Sequence, residues 1–387
     1  MLVYASFDPF PAPKGAATHI EAFVSRLAEA YGPWHLLTVA PSPGTVAGHA
    51  LPSSVTHVAL PTPGGTLIER VLAFRRELLR WWGGRRAEVV HVRSIFEGYP
   101  LARGKGRLCE RLVYEVNALP SIELKYHYPA VAEDRELLVK LEAQEQRCLE
   151  AADLLLTPSQ VTADLLAERG APRARIRVIP NGVDPQRFAW RAPRPWGAEG
   201  PRLLYAGTLS AWQGVHVALE ALALYRRDLP ARLTVVGPGR KRQRRALLER
   251  AAALGVEAAL ELLPSCTQSE LLELHHACDV VLAPLMPNDR NLIQGCSPLK
   301  VIEAMAAGTP LIASDLPVVR ALADDASALL VRAGSAKAIK DGVLRLGAEQ
   351  GLGERLSRAA RARVEGALTW ERAGRALLEA YAGLLSR

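Results

Sequence analysis

Three loop-to-helix junctions in the second half of this 387-residue chain carry the residue types that anion chemistry needs. The first is Tyr205-Ala206-Gly207-Thr208-Leu209-Ser210-Ala211-Trp212-Gln213-Gly214, an apolar run that ends in a small-residue loop before an amphipathic pattern. Unpaired backbone N–H groups at such a helix start, together with the helix dipole, favour phosphate oxygens, although a tight turn would need the same glycine with no ligand. The second, Val235-Val236-Gly237-Pro238-Gly239, lacks both the Walker spacing and the full dinucleotide fingerprint. It implies a close approach to the backbone or a turn with positive φ. The third runs from Ser297-Pro298-Leu299-Lys300 to Glu303 and on to Gly308-Thr309-Pro310. Ser297 suits an N-cap and Pro298 the first helical position. Glu303 sits among Val, Ile, Ala and Met, where a carboxylate needs either a protein donor or a ligand's hydroxyl pair.

The elements that must hold these junctions follow from an alternation of short apolar runs with longer helical patterns, the signature of parallel sheets covered by helices. In the first half the predicted strands are 2–5, 35–39, 89–92, 112–116, 154–157 and 176–179, with a long helix over 131–152 on the spacing of Leu137, Leu138, Leu141, Glu145 and Leu149. Periodicity stops over 188–201, where Pro193, Pro195, Gly197, Gly200 and Pro201 collect as a linker. It restarts with strands at 203–206, 233–236, 260–262, 280–283, 311–313 and 328–331. Two doubly wound domains follow, over 1–187 and 188–367, with a terminal helix over 368–387; such sheets bind ligands at the carboxyl ends of their strands.

Composition sets the outer limits. Apolar residues make up 49% and charged ones 23%, which supports a large core, and no apolar run approaches the length that spans a bilayer. The five cysteines lie far apart with no Cys-x-x-Cys pair, which argues against a disulfide framework or structural zinc and for a reducing, cytoplasmic setting. The chain opens with no basic leader or signal-like apolar segment. The net charge is +8; Lys and Arg exceed Asp and Glu by two up to Pro180 and by six beyond it. That surplus raises a nucleic-acid partner, but no helix-turn-helix, zinc finger or aromatic RNA-binding motif supports one. One cluster stands out: Arg70, Arg75, Arg76, Arg80, Arg85 and Arg86 surround Leu67, Val71, Leu78, Leu79, Trp81 and Trp82. At helical spacing this is either a surface helix with a solvated Arg face or a basic, aromatic-bearing element able to lie on an anionic membrane.

Ile179-Pro180-Asn181-Gly182-Val183-Asp184, the Gly207 loop and the run from Pro298 through Glu303 to Pro310, in that order, resemble the retaining, nucleotide-sugar-dependent glycosyltransferases of family four, which have the two-Rossmann-domain (GT-B) fold. The resemblance extends to the Pro-rich loop containing Gly15 and to the terminal helix at Thr369-Trp370, which in that family crosses back onto the first domain. It implies that a sugar passes from a nucleotide diphosphate sugar to an acceptor hydroxyl with retention, in polysaccharide or glycolipid assembly, without a metal or other cofactor. The leaving phosphate then assists deprotonation of the acceptor.

The same resemblance places Glu303 at the donor ribose, backbone groups of Ser297, Pro298, Leu299 and Lys300 around the diphosphate, and Leu263 and Pro264 beside the base. Gly207 and Gly237 lie on the donor side, and Gly15 approaches from the other domain. Asn117 stands where many relatives carry a histidine near the sugar. Departures matter as much: the family's Arg and Lys on the Gly207 loop are replaced by Thr208 and Gln213, and the first Glu of its E-x7-E motif by Gly295. A departing diphosphate still needs positive charge, with Lys300 and Arg290, at the rim of the cleft, as the nearest substitutes in sequence and Lys14 as a further cation from the opposite domain. By position, the acceptor side offers Lys14, His19, Arg93, Glu97, Glu123 and His127, and the acceptor implied is a sugar or lipid-linked saccharide. The localisation that follows is cytoplasmic, at the inner face of a membrane. Two other classes share the architecture. A sugar-nucleotide epimerase would need Glu97, Glu115, Glu123 or His127 free as acid and base at the sugar, and a noncatalytic sugar-nucleotide-binding subunit is prompted by Thr208, Gln213 and Gly295.

Overall fold

The computed structural model describes residues 1–41 and 48–386. Its chain divides into two compact units, one of Met1–Pro180 with Ala373–Arg387 and one of Asn181–Arg372. The division falls at Pro180 rather than after residue 187 because the following segment bonds within the second unit. The Asn181 N–H donates to Ser297 Oγ at 3.0 Å, and the Arg361 guanidinium donates to the carbonyls of Phe188 and Pro185 at 2.7 and 3.0 Å.

The first unit is a parallel sheet of β1 (Leu2–Pro9), β2 (Trp34–Val39), β3 (Val55–Leu60), β4 (Ala87–Val92), β5 (Cys109–Glu115), β6 (Leu154–Thr157) and β7 (Ile176–Val178), in the order β3-β2-β1-β4-β5-β6-β7. Strand β3 has no counterpart among the predicted strands: it reads Val-Thr-His-Val-Ala-Leu at the sheet edge, with only Val55 and Leu60 buried, so no apolar run marks it. The long helix begins at Arg135, not 131, because Asp134 caps it by accepting from the Leu137 N–H at 2.9 Å, and a single turn over Pro129–Ala132 precedes it. Val3, Leu37, Phe74, Trp82, Val90 and Leu112 are among the buried side chains between sheet and helices. The terminal helix Trp370–Leu385 is counted with this unit from Ala373, where Leu377 and Tyr381 are fully buried.

The second unit repeats the plan with β8 (Arg202–Ala206), β9 (Arg232–Val236), β10 (Leu260–Leu263), β11 (Val280–Ala283), β12 (Leu311–Ser314) and β13 (Leu329–Val331), in the order β10-β9-β8-β11-β12-β13. Leu203, Tyr205, Leu233, Val235, Leu282 and Ile312 are among the buried residues of its core. In both sheets the strand order reverses once, between β1 and β4 and between β8 and β11. Loops leaving the carboxyl ends of those strands diverge there and open a crevice for a ligand.

Candidate functional site

The second unit's crevice is built by register. Ala206 pairs with Val236 and Val236 with Leu263, so Gly207, Gly237 and Pro264 leave three adjacent strands side by side. The loops are in backbone contact: a Cβ on Gly237 would stand 2.2 Å from the Gly207 carbonyl oxygen. Arg244 donates to the carbonyls of Leu262 and Leu263 at 3.0 and 3.1 Å and pins the end of β10. Gln243 Nε2 donates to the Leu209 carbonyl at 3.1 Å, which ties the Gly207 loop to the same helix, Lys241–Ala253.

Lys300, in the first turn of the helix Leu299–Ala307, turns inward to this loop. Its Nζ lies 4.0 Å from the centroid of the Tyr205 ring, and a Cβ on Gly207 would be 2.8 Å from it. Lys300 is 6% exposed and its ammonium nitrogen has no hydrogen-bond partner; Thr208 Oγ1 and Gln213 Oε1 are likewise buried without partners. Three unsatisfied polar atoms at one strand-end crevice are costly unless a polar ligand meets them. Burial pulls the Lys300 amine down to about 7, against the opposing pull of Cys296 and Glu303. One turn on, Glu303 is half-buried, and loss of solvation pushes its carboxyl up to about 7 although Lys300 acts the other way.

Other expectations for this unit change. Ser297 does not cap the helix: Pro298 holds the N-cap position, while Ser297 Oγ and the Ser297 carbonyl accept from the Asn181 N–H and Nδ2 at 3.0 and 2.7 Å. Arg290 is not a rim residue. It begins a π-helical turn, Arg290–Gln294, and is 5% exposed, with its guanidinium 4.7 Å from the Trp212 ring and Nη1 donating to the Gly295 carbonyl. Gly295 itself has φ 81° and ψ 168°, backbone space that is essentially restricted to glycine. The missing glutamate is therefore a backbone difference as well as a side-chain one. Asn291, unremarked in the sequence, is fully buried and donates to the Trp212 and Met286 carbonyls at 3.0 and 2.8 Å, fixing the far end of the Gly207 loop.

In the first unit the strand ends of β1, β4 and β5 meet around one carboxylate. Glu115, 2% exposed, lies 2.8 Å from His19 Nε2 and 2.9 Å from His91 Nε2, and accepts from Arg93 Nε at 3.3 Å and from the Tyr4 hydroxyl at 3.0 Å. Asn117 Nδ2 also donates to it. Burial alone would raise Glu115, but His19 and Arg93 outweigh it and hold the carboxyl well below its usual range. Arg93 also pairs with Asp8 at 2.7 Å, and His91 Nδ1 lies 2.7 Å from the Tyr381 hydroxyl of the terminal helix. Arg93 and His19 are thus committed to internal partners rather than open to an acceptor. Glu97 is overturned as an acceptor contact: it is fully buried and accepts from the N–H groups of Arg93, Ser94 and Phe7 at 2.8, 2.7 and 3.2 Å. With Glu97 and Glu115 occupied, the free acid and base that an epimerase needs are not supplied by these two. Glu123 and His127 face each other at 3.5 Å along the helix Pro120–His127. Lys14 and Gly15 are exposed at the start of the helix Gly15–Tyr31.

Of the six arginines from 70 to 86, Arg75 turns inward and donates to the carbonyls of Phe96 and Ile95 at 2.7 and 2.8 Å. Trp82 is buried too, its Nε1 donating to the Leu108 carbonyl at 3.0 Å. Ile68, Leu72 and Leu79 remain exposed on the helix Leu67–Trp82 beside Arg76 and Arg80. Among the described residues no group of three His, Cys, Asp or Glu side chains is placed to hold a metal, and no helix is long and apolar enough to cross a membrane.

Two family models divide the chain between them: glycosyltransferase family 4 matches residues 13–187 and glycosyl transferases group 1 matches residues 186–363. The chain belongs to this glycosyltransferase family, with the two-domain GT-B fold. A glycogen synthase of Mycobacterium tuberculosis is 32% identical over 251 residues, covering 62% of this chain and 57% of its own length. A D-inositol 3-phosphate glycosyltransferase of Geodermatophilus obscurus is 30% identical over 314 residues, 76% of this chain and 66% of its own. The chain thus spans less than two thirds of the length of these relatives. Among solved structures, sucrose-phosphate synthase from Thermosynechococcus elongatus superposes with a TM-score of 0.81 at 19% identity over 100% of both chains. HepE of Anabaena in complex with UDP-glucose gives 0.74 at 14% identity, over 99% of this chain and 100% of its own. At such identities the likeness is one of fold.

Proposed function

We propose that this protein transfers a sugar from a nucleotide diphosphate sugar to an acceptor hydroxyl with retention of configuration, in the assembly of a polysaccharide or glycolipid. The observation that carries the reading is the group of buried, unpartnered polar atoms on Lys300, Thr208 and Gln213 at the strand-end crevice of the second unit. Lys300 supplies the charge that a leaving diphosphate requires, and the N–H groups heading the helix Leu299–Ala307 add the dipole of that helix. Thr208 Oγ1 donates a hydrogen bond without charge, Gln213 Oε1 accepts one from a ligand hydroxyl, and Glu303 accepts from the ribose hydroxyls. Arg290 acts through Trp212 and Gly295, holding the loop in position rather than touching phosphate. Leu263 and Pro264 border the base.

Asn117 is the first unit's candidate for the sugar, and Lys14, Glu123 and His127 are its candidates for the acceptor. That HepE was solved with UDP-glucose and that relatives carry the names of glycogen and inositol phosphate transferases supports a nucleotide sugar as donor and a hydroxyl-bearing acceptor. The exposed apolar and basic stripe of the helix Leu67–Trp82 supports attachment to the inner, anionic face of a membrane, where a lipid-linked acceptor would be met.

Calorimetric titration with uridine, guanosine and adenosine diphosphates at pH 7 tests the donor assignment. One of the three should bind with a dissociation constant in the micromolar range. If none binds more tightly than millimolar, the donor site is not there.

A further inference from the structure

Lys300 and Glu303 lie one turn apart on one short helix, and neither has a hydrogen-bonding partner among the described residues. An ammonium and a carboxylate in direct contact would form an ion pair, but no salt bridge joins these two within the 4 Å that would define one. Among the described residues no other side chain forms an ion pair with either group. Tyr205 offers Lys300 only a ring face, its hydroxyl being spent on the Thr208 carbonyl at 2.6 Å. Cys296 precedes the helix, and Cys266 lies on the loop after β10 with Glu270 at its far side. On the helices packed against this one, Arg361 is spent on the carbonyls of Ala306, Phe188 and Pro185, and His275 is fully buried and held uncharged by burial, down at about 3. Two separated, poorly solvated ionisable groups of opposite type, each shifted toward its uncharged form, rest most cheaply as an amine and a carboxylic acid.

Resting on the donor-site reading, we infer that the empty site holds Lys300 and Glu303 uncharged at neutral pH, and that capture of a nucleotide diphosphate sugar converts them to ammonium and carboxylate. The proton leaves the Glu303 carboxyl and arrives, by way of solvent in the open crevice, at Lys300 Nζ. No proton is gained or lost overall and nothing is oxidised. The diphosphate stabilises the new ammonium, and the ribose hydroxyl pair, whose two donated bonds are stronger to a carboxylate than to a carboxylic acid, stabilises the new carboxylate. Each half of the ligand thus charges the residue that holds it. A nucleoside lacking phosphate, or a diphosphate lacking ribose, drives only one of the two changes and binds disproportionately weakly.

The sign of the pH dependence follows. Lys300, with its folded-state value lowered to about 7, holds its proton in the empty site only below that pH, so affinity falls as pH rises above 7. Glu303, raised to about 7, is ionised in the empty site only above that pH, so affinity also falls as pH drops below 7. The test is a titration from pH 5.5 to 8.5 with UDP-glucose or GDP-mannose, whichever binds better at pH 7, since neither diphosphate diester ionises in that range. The association constant should peak near pH 7 and fall on each side, by about fivefold to tenfold at the extremes on a factor of ten per pKa unit. Lys300→Arg should remove the alkaline limb and Glu303→Gln the acid limb. In buffers of different ionisation enthalpy, wild-type binding at pH 7 should show almost no net proton exchange, Glu303→Gln uptake and Lys300→Arg release. Binding that is flat from pH 6 to 8.5, or limbs that persist in both variants, overturns the inference and leaves the donor site standing. No binding of either nucleotide sugar at any pH overturns both.

Discussion

At the scale of single residues, Lys300 is both the cost and the use of the site. A buried ammonium with no partner destabilises the fold, and the penalty is complete below pH 7, where the folded and unfolded chains both carry the charge. It is relieved between about pH 7 and the ordinary lysine range near 10.4, where the folded chain alone has lost its proton and stability rises with pH. Lys300→Met keeps the stem that packs on Tyr205 and removes the charge. At pH 6 its Tm should rise, by about 2–4 °C for each kcal/mol recovered in a unit of this size, while nucleoside diphosphate affinity falls about 10- to 150-fold. Differential scanning fluorimetry beside calorimetry reads both. A variant that loses stability and affinity together would mean that Lys300 is a structural residue.

At the scale of elements, the helix Leu67–Trp82 separates two kinds of arginine that look alike in sequence. Arg75 is spent on the carbonyls of Ile95 and Phe96, whereas Arg76 and Arg80 have solvated heads beside exposed Ile68, Leu72 and Leu79. Thr66 and Glu69 form a capping box that fixes the start of this helix and hence the orientation of its outer face. Vesicles rich in phosphatidylglycerol should carry the protein in a flotation gradient at low salt. Arg76→Glu combined with Arg80→Glu should leave it at the bottom, and wild-type protein that never floats would remove the membrane from the account.

For the whole molecule, the double alternation of strand and helix was legible because most strands contain a buried apolar run, and it is clearest at 154–157 and 280–283, which are buried throughout and where the expected and observed limits agree. Edge strand β3, of which only Val55 and Leu60 are buried, had no such signal. The residues of the proposed donor crevice were singled out in the sequence by glycines at strand ends and by a lysine and glutamate on an apolar helix, and their proposed roles come from the family resemblance. The direction in which arginines point was not legible. Arg290 and Arg93 each read as a ligand-facing cation, yet each is spent on a carbonyl, an indole face or carboxylates contributed by residues distant in sequence or hidden by an irregular turn. The Glu115 network was invisible for the same reason: Tyr4, His19, His91, Glu115 and Tyr381 converge only once strand order is known.

Turnover of the donor tests the central claim most directly. Purified protein mixed with the nucleotide sugar that binds best, with water or a simple saccharide as acceptor, can be followed by proton NMR at the anomeric position. The account predicts slow release of nucleoside diphosphate, a first-formed product with the anomeric configuration of the donor, and loss of both signals in Glu303→Ala. A product of inverted configuration, or an unchanged donor under conditions in which binding is saturated, would contradict it.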